Sequence, residues 1–165
     1  MIYLTATRFN DETWKENCLY REMKKIKGCI YGVPKRISED TILNSEIIVI
    51  EMNNDRNHIM GIGVVRNYVR MDKHFRIYQD GNYNRFTYQS NLRIDRLDFT
   101  DREMVLIEAI EQLVFYGSTH IKRGQGISKI PDKLLGDKKK KLIKKICKLF
   151  VKRFIPKLKQ NSEAL

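Results

Sequence analysis

Cysteine is scarce in this chain, and the three that occur, Cys18, Cys29 and Cys147, are odd in number and contain no close CxxC pair. Neither a disulfide framework nor a zinc knuckle is indicated, and a reducing compartment is the simpler setting. Histidine is equally sparse: His58, His74 and His120 stand without the spacing of metal ligands. No apolar run approaches the length that spans a bilayer, and the first ten residues do not join a charged start to a long apolar stretch. No transmembrane segment is therefore expected, and the expected location is intracellular, whether cytoplasmic, nuclear or virion-internal. Internal repeats and low-complexity linkers are also missing. Gly61-Ile62-Gly63 is no dinucleotide fingerprint, because it ends no strand and opens no helix. No cofactor and no metal site are expected.

What the chain has in excess is positive charge. Its 32 Lys and Arg against 20 Asp and Glu give a net charge of +12. Residues 137–165 hold 11 of the basic and 2 of the acidic residues, so this stretch carries +9 and the first 136 residues only +3. An imbalance of that size attracts polyanions: nucleic acid, an anionic membrane surface or an acidic protein partner. At 165 residues, the chain is long enough to bury a core without staples. The reading is one α+β domain over residues 1–136, followed by a basic C-terminal helix and tail over residues 137–165.

Local signals divide the domain into elements. Residues Ile2–Phe9, rich in β-branched, aromatic and threonine side chains, predict a first strand. A helix follows, capped by Asn10 or Asp11 and running to Lys27, with Leu19, Met23 and Ile26 on one face and Gly28 in the left-handed terminal position. Cys29–Val33 is a short extended piece closed by Pro34. Residues 46–52 and 58–65 are dense apolar strands around the turn residues 53–57, which predicts a hairpin. Gly61 and Gly63 leave one face of the second strand bare, for a bulge or for the close approach of a backbone or ligand. Residues 66–96 read as strands joined by a turn at 79–82. Thr100 and Glu103 form a capping box and Phe99 and Met104 a staple, opening a helix whose stripe is Met104, Ile107, Ile110, Leu113 and Val114, ended by Gly117. The last helix, 138–154, has a stripe of Leu142, Ile143, Ile146, Leu149, Phe150 and Phe154, and an opposite face almost wholly of Lys and Arg.

Three groups of side chains are candidate binding residues. In the middle of the chain, Arg76, Tyr78, Tyr83, Arg85 and Tyr88 belong to a larger mixture of cations and aromatics, including Arg66, Tyr68 and Arg70. Cations bind phosphate and rings stack on bases, which is how many single-strand binders work; alternating core aromatics are the competing explanation. In the loop 119–126, His120, Lys122, Arg123 and Gln125 lie around Gly124 and Gly126, where backbone amides can approach an anion. On the last helix, Lys138, Lys139, Lys140 and Lys141 supply charge suited to phosphate. Patterns for catalysis are weak. Asp95, Asp98, Asp101 and Glu103 sit where acidic residues favour a helix N-terminus anyway, and Ser118 with His120 is no nucleophile motif.

The order of elements, from the first strand through the Ile30-Tyr31-Gly32-Val33-Pro34 segment to the hairpin ending Ile59-Met60-Gly61-Ile62-Gly63-Val64-Val65, resembles the PUA-like superfamily over roughly residues 1–100. It looks most like the EVE and YTH branches, which recognise RNA or modified bases. The resemblance implies a small mixed β-barrel or curved sheet flanked by helices. It also implies a base pocket near the end of the first strand and the start of the first helix, drawing on Arg8, Asn10 and Trp14, with Tyr31 near a further wall. YTH readers use a cage rich in tryptophan, whereas Trp14 is the single tryptophan here. The first expectation for function is a non-enzymatic binder of nucleic acid, RNA or single-stranded or modified nucleic acid ahead of duplex DNA. The alternatives are a metal-dependent nuclease or nucleic-acid-modifying enzyme built on Asp95, Asp98 and Glu103, and an interaction protein of a larger assembly.

Overall fold

The computed structural model describes the backbone of residues 1–163 and the side chains of residues 1–155. The chain divides into two compact units, Met1–Ile130 and Pro131–Leu165. The first is an α+β unit with seven strands, β1 (Ile2–Phe9), β2 (Cys29–Val33), β3 (Glu46–Asn53), β4 (His58–Arg66), β5 (Phe86–Ser90), β6 (Leu92–Asp95) and β7 (Ser128–Lys129), and two helices, α1 (Asp11–Met23) and α2 (Asp101–Phe115). A mixed five-stranded sheet has the order β6-β4-β3-β1-β7, with β1 and β3 parallel and the other pairs antiparallel; β2 and β5 form a separate antiparallel pair. β6 and β7 remain edges, so the sheet does not close into a barrel.

The predicted hairpin is present as β3 and β4, and both faces of β3 are buried, as a continuous apolar run requires. By alternation Ile47, Val49 and Glu51 share one face, and Ile48, Ile50 and Met52 the other. The first face joins a core with Phe9, Ile30, Tyr31, Val33, Val65 and Tyr88 from both sheets and with Phe75, Ile77 and Tyr78 from the segment between β4 and β5.

Gly61 and Gly63 are bare for a structural reason. Gly61 stands opposite Glu51, and Gly63 opposite Val49, on the neighbouring strand. A Cβ at Gly61 would come within 2.8 Å of Glu51 Oε2, and one at Gly63 would overlap the Tyr31 hydroxyl. The vacated space holds a buried network. Arg93 grips Glu51 with two hydrogen bonds, Nε to Oε1 at 2.9 Å and Nη2 to Oε2 at 2.7 Å, and the Tyr31 hydroxyl donates to Glu51 Oε1 at 2.7 Å. The two charged side chains are 5% and 2% exposed. Burial alone lowers the Arg93 pKa, but the Glu51 charge and its hydrogen bonds overcome that and raise it. The same burial pushes the Cys29 thiol up to about 12, the Glu51 charge adding to it, and raises Tyr31 well above a free phenol.

Two helix ends differ in their fit to expectation. α2 opens on the predicted capping box, Thr100 accepting from the Glu103 amide at 3.2 Å and Glu103 accepting from the Thr100 amide at 2.9 Å, and Gly117 beyond its end has φ +81°. Of the predicted stripe, Ile107, Ile110 and Val114 are buried, and Met104 and Leu113 half-buried. α1 ends at Met23, not Lys27. Ile26 N–H donates to the Arg21 carbonyl and Lys25 N–H to that of Glu22, a Schellman closure with Lys25, not Gly28, in the left-handed position at φ +54°. Of the expected apolar face, Leu19 and Met23 are exposed, while Ile26, beyond the helix, packs half-buried against the core; the buried residue of α1 is Asn17, which donates to the Ile30 carbonyl and the Tyr78 hydroxyl. Gly28 instead admits the Ser90 carbonyl, which a Cβ would overlap.

Residues 67–80, expected as strand, are irregular and lead into a 3-10 turn at Gly81–Asn84. Two of their amides are paired by a side chain, while the Arg70 amide donates to the Thr87 carbonyl of β5. Ile77 and Tyr78 N–H both donate to Asn84 Oδ1, and Asn84 Nδ2 donates back to the Tyr78 carbonyl at 2.6 Å.

The second unit contains a short helix, α3 (Asp132–Leu135), and the basic helix α4 (Lys139–Glu163), longer than the predicted 138–154. Within its described side chains, Leu142, Ile146 and Phe150 are buried, while Lys140, Lys141, Lys144, Lys145, Lys148 and Lys152 are exposed. The expected tail extends to residue 165, and its last two residues lie outside those described. No helix among the described residues is long and apolar enough to cross a membrane.

Candidate nucleotide pocket

A cavity of about 200 Å³ opens beyond the C-terminal ends of β1 and β2. Its walls come from five separated stretches: Thr7, Arg8, Phe9, Asn10 and Thr13; Gly32, Val33 and Pro34; Asn54; Tyr78 and Tyr83; and Lys122, Gly124, Gln125 and Gly126. Six of the predicted binding residues meet here: Arg8, Asn10, Tyr78, Tyr83, Lys122 and Gln125.

Arg8 is the most unusual of them. Its guanidinium is mostly buried, and every protein partner is neutral: Nε donates to the Ile121 carbonyl at 2.8 Å, and Nη1 to Ser128 Oγ at 2.6 Å and to the Ala6 carbonyl at 3.3 Å. Among the described residues Nη2 has no partner and no carboxylate lies within ion-pair distance of the guanidinium. Desolvation accordingly lowers its pKa from the ordinary arginine value. A cation held by carbonyls and a hydroxyl, with one fork end unused, is shaped to receive an oxygen or nitrogen acceptor from outside.

The loop 122–126 covers this cation because its residues can lie close. Gly124, at φ +146°, faces the guanidinium, and a Cβ there would stand 3.1 Å from Arg8 Cζ. Gly126, at φ +70°, packs on Val33 and Lys35. Asn54 Nδ2 ties the loop down through the Lys122 carbonyl at 2.8 Å, and its Oδ1 is buried without a partner. The Lys122 ammonium forms no ion pair among the described residues. Across the cavity, Asn10 caps α1 by accepting from the Thr13 amide at 2.8 Å and takes part in a capping box with the Thr13 hydroxyl. Tyr83, 37% exposed, meets Tyr78 edge to face at 6.2 Å between ring centroids.

The remaining predicted residues lie elsewhere. Tyr31 is buried in the Glu51 network rather than on a pocket wall, and the Tyr88 hydroxyl accepts from the Ile37 amide in the core. Tyr78 lines the cavity but is itself a core residue, its hydroxyl bonded to Asn17 and its pKa raised by burial. Trp14 packs edge-on against Phe9 and lies under the guanidinium groups of Arg21 and Arg93, each 5.4 Å from its ring. Arg85 lies over the Phe86 ring, and Arg76 is exposed. His120 accepts from the Lys122 amide through Nδ1, and Arg123 is exposed; neither lines the cavity. Lys138, Lys139, Lys140 and Lys141 belong to the second unit.

The wall residues that the sequence left unmarked are Thr7, Phe9, Thr13, Gly32, Val33, Pro34 and Asn54. Asn54 had a usable signal, a hairpin-turn asparagine, but nothing local joins it to a loop 68 residues on. The acidic set considered for a nuclease is engaged in structure. Asp95 pairs with Arg93 and accepts from the Leu97 amide, and Glu103 closes the α2 capping box. No group of three His, Cys, Asp or Glu side chains suited to a metal occurs among the described residues. Comparison of the chain with family models, with curated proteins and with solved structures finds no match.

Proposed function

We propose that this protein is a non-enzymatic binder of single-stranded nucleic acid, RNA or DNA, which seats one nucleotide in the Arg8 cavity and holds phosphates on the lysine face of α4. The observation that carries the reading is Arg8, a desolvated cation with neutral partners, facing a cavity under a glycine-containing loop. Burying such a charge costs free energy that an anionic or acceptor-rich ligand offsets. A site of about 200 Å³ is below the ~300–1,000 Å³ of drug-sized pockets and suits a single base or sugar-phosphate group. Its position, at the end of the first strand and the start of the first helix, is where the PUA-like resemblance implies a base pocket. The +12 net charge supports a polyanion as ligand.

Anisotropy of labelled mixed-sequence oligonucleotides at low salt tests this. Lys122→Ala, Tyr83→Ala and Arg8→Met each weaken binding; loss of a charge-assisted hydrogen bond corresponds to about 10- to 100-fold. Arg8→Met also breaks three internal hydrogen bonds, so the two rim variants carry the test if it misfolds. Replacing the exposed Lys140, Lys141, Lys144 and Lys145 of α4 together by Gln lowers the salt slope by up to about 2.8, at about 0.7 per neutralised phosphate of a single strand. No binding at low salt, or binding indifferent to both rim variants, refutes the reading.

A further inference from the structure

We infer that the bound strand leaves the cavity over residues 34–36 and stacks a base on Tyr68, in a second groove of the first unit; this rests on the single-strand reading above. Pro34 lines the Arg8 cavity, and two residues on Arg36 lines a cleft of about 740 Å³, so the two openings flank one short segment. That cleft continues into another of about 530 Å³, with Asn44 and Tyr68 common to both. Tyr68 stands 63% exposed where they meet, and Leu43 and Met71 are exposed beside it.

The groove is polar as well as apolar. Thr41 on its wall has a buried hydroxyl without a partner and Asn44 lines both clefts, while Gln89 Oε1 already accepts from Arg70 and Ser90 Oγ from the Leu92 amide. Arg36, Arg66 and Arg70 line it together with Glu39 and Glu46, so its charge nearly balances, and Arg70 is already held by Asp72. Attraction for phosphate is therefore weak here. The exposed ring is what suits a nucleic-acid strand, since every base offers a π-face whatever its sequence. The groove thus contributes stacking, while the lysines of α4 contribute charge.

The experiment compares wild type, Tyr68→Ala and Tyr68→Phe, in the full chain, binding nucleoside 5′-monophosphates and a mixed-sequence strand of about ten nucleotides, within the ~4–16 covered by a single-strand-binding domain. Tyr68→Ala weakens the longer strand about 5- to 100-fold, the range of one lost stacked base. Tyr68→Phe restores it, monophosphate affinity is unchanged, and the ratio of wild-type to Tyr68→Ala affinity does not vary with salt. An unaltered affinity of Tyr68→Ala for the long strand overturns the proposal, and so does a wild-type dimer that Tyr68→Ala dissociates without nucleic acid, since a second copy would then occupy the groove. If Lys122→Ala still weakens both ligands in either case, the cavity reading survives while the groove assignment fails.

Discussion

Replacing Arg93 by Met strands the Glu51 carboxylate in the core. Only 2% of its side chain is exposed, and of its present hydrogen bonds it keeps only the one from the Tyr31 hydroxyl. Breaking a buried ion pair on one side costs about 3–5 kcal/mol. Losing the guanidinium from the Trp14 ring, 5.4 Å away, adds up to about 1 kcal/mol. The expected loss is therefore ~3–6 kcal/mol, equivalent to a fall in Tm of about 6–24 °C for a chain of this size. Urea unfolding followed by the fluorescence of Trp14, the single tryptophan, reads the change beside the altered residue. The decisive comparison is a double-mutant cycle with Glu51→Gln. Removing the stranded charge makes the double variant more stable than Arg93→Met alone by about 2 kcal/mol or more. A loss below about 1 kcal/mol for Arg93→Met, or a double variant as unstable as the two singles combined, refutes the view that this pair neutralises itself inside the core.

Other outcomes follow from the same network and from the helix caps. Gly63→Ala drives a Cβ into the Tyr31 hydroxyl, and overpacking of this kind costs about 1–3 kcal/mol or more, measured by the shift in urea midpoint. Thr100→Ala removes one half of the α2 capping box and costs about 1 kcal/mol by the same measurement. Cys29, whose thiol burial pushes up to about 12, stays unlabelled by a thiol reagent at pH 8 in the folded protein and reacts after unfolding. Because its folded pKa lies above the unfolded one, its contribution to stability is complete below the ordinary thiol range. It is lost as pH rises from there towards about 12, so Cys29→Ala flattens the alkaline limb of the stability–pH curve.

Much of the fold is legible where one short stretch contains its own instructions. The Asn10 cap, the Thr100 and Glu103 box and the hairpin of β3 and β4 each depend on residues a few positions apart. Gly61 and Gly63 were readable as a place of close approach, but what approaches is Tyr31 and Arg93, from other strands. The lone Glu51 in an apolar run, opposite Gly61, was the available clue to a buried charge. The strand expectation held at Phe86 and Tyr88, in β5, but failed over residues 67–80, where at Ile77 and Tyr78 Asn84 supplies the partner that a neighbouring strand would have supplied. Tyr88, read as a stacking residue, and Tyr31, expected near a pocket wall, bury both ring and hydroxyl in the core. At the site, residue type was legible and company was not. Lys122 and Gln125 were recognisable as candidate binding groups from the loop, and Arg8 and Asn10 through the PUA-like resemblance, yet their meeting depends on strand order and on Asn54 and Gly124, which hold the loop over Arg8.

The most direct test of the cavity as the nucleotide site is an amide NMR titration of the isotope-labelled protein with single-stranded RNA and DNA. Saturable shifts are expected at Asn10, Lys122, Gly124 and Gly126, abolished by Arg8→Met or, should that variant misfold, by Lys122→Ala. Shifts confined to the lysine face of α4, with the cavity amides unmoved, would contradict the cavity site.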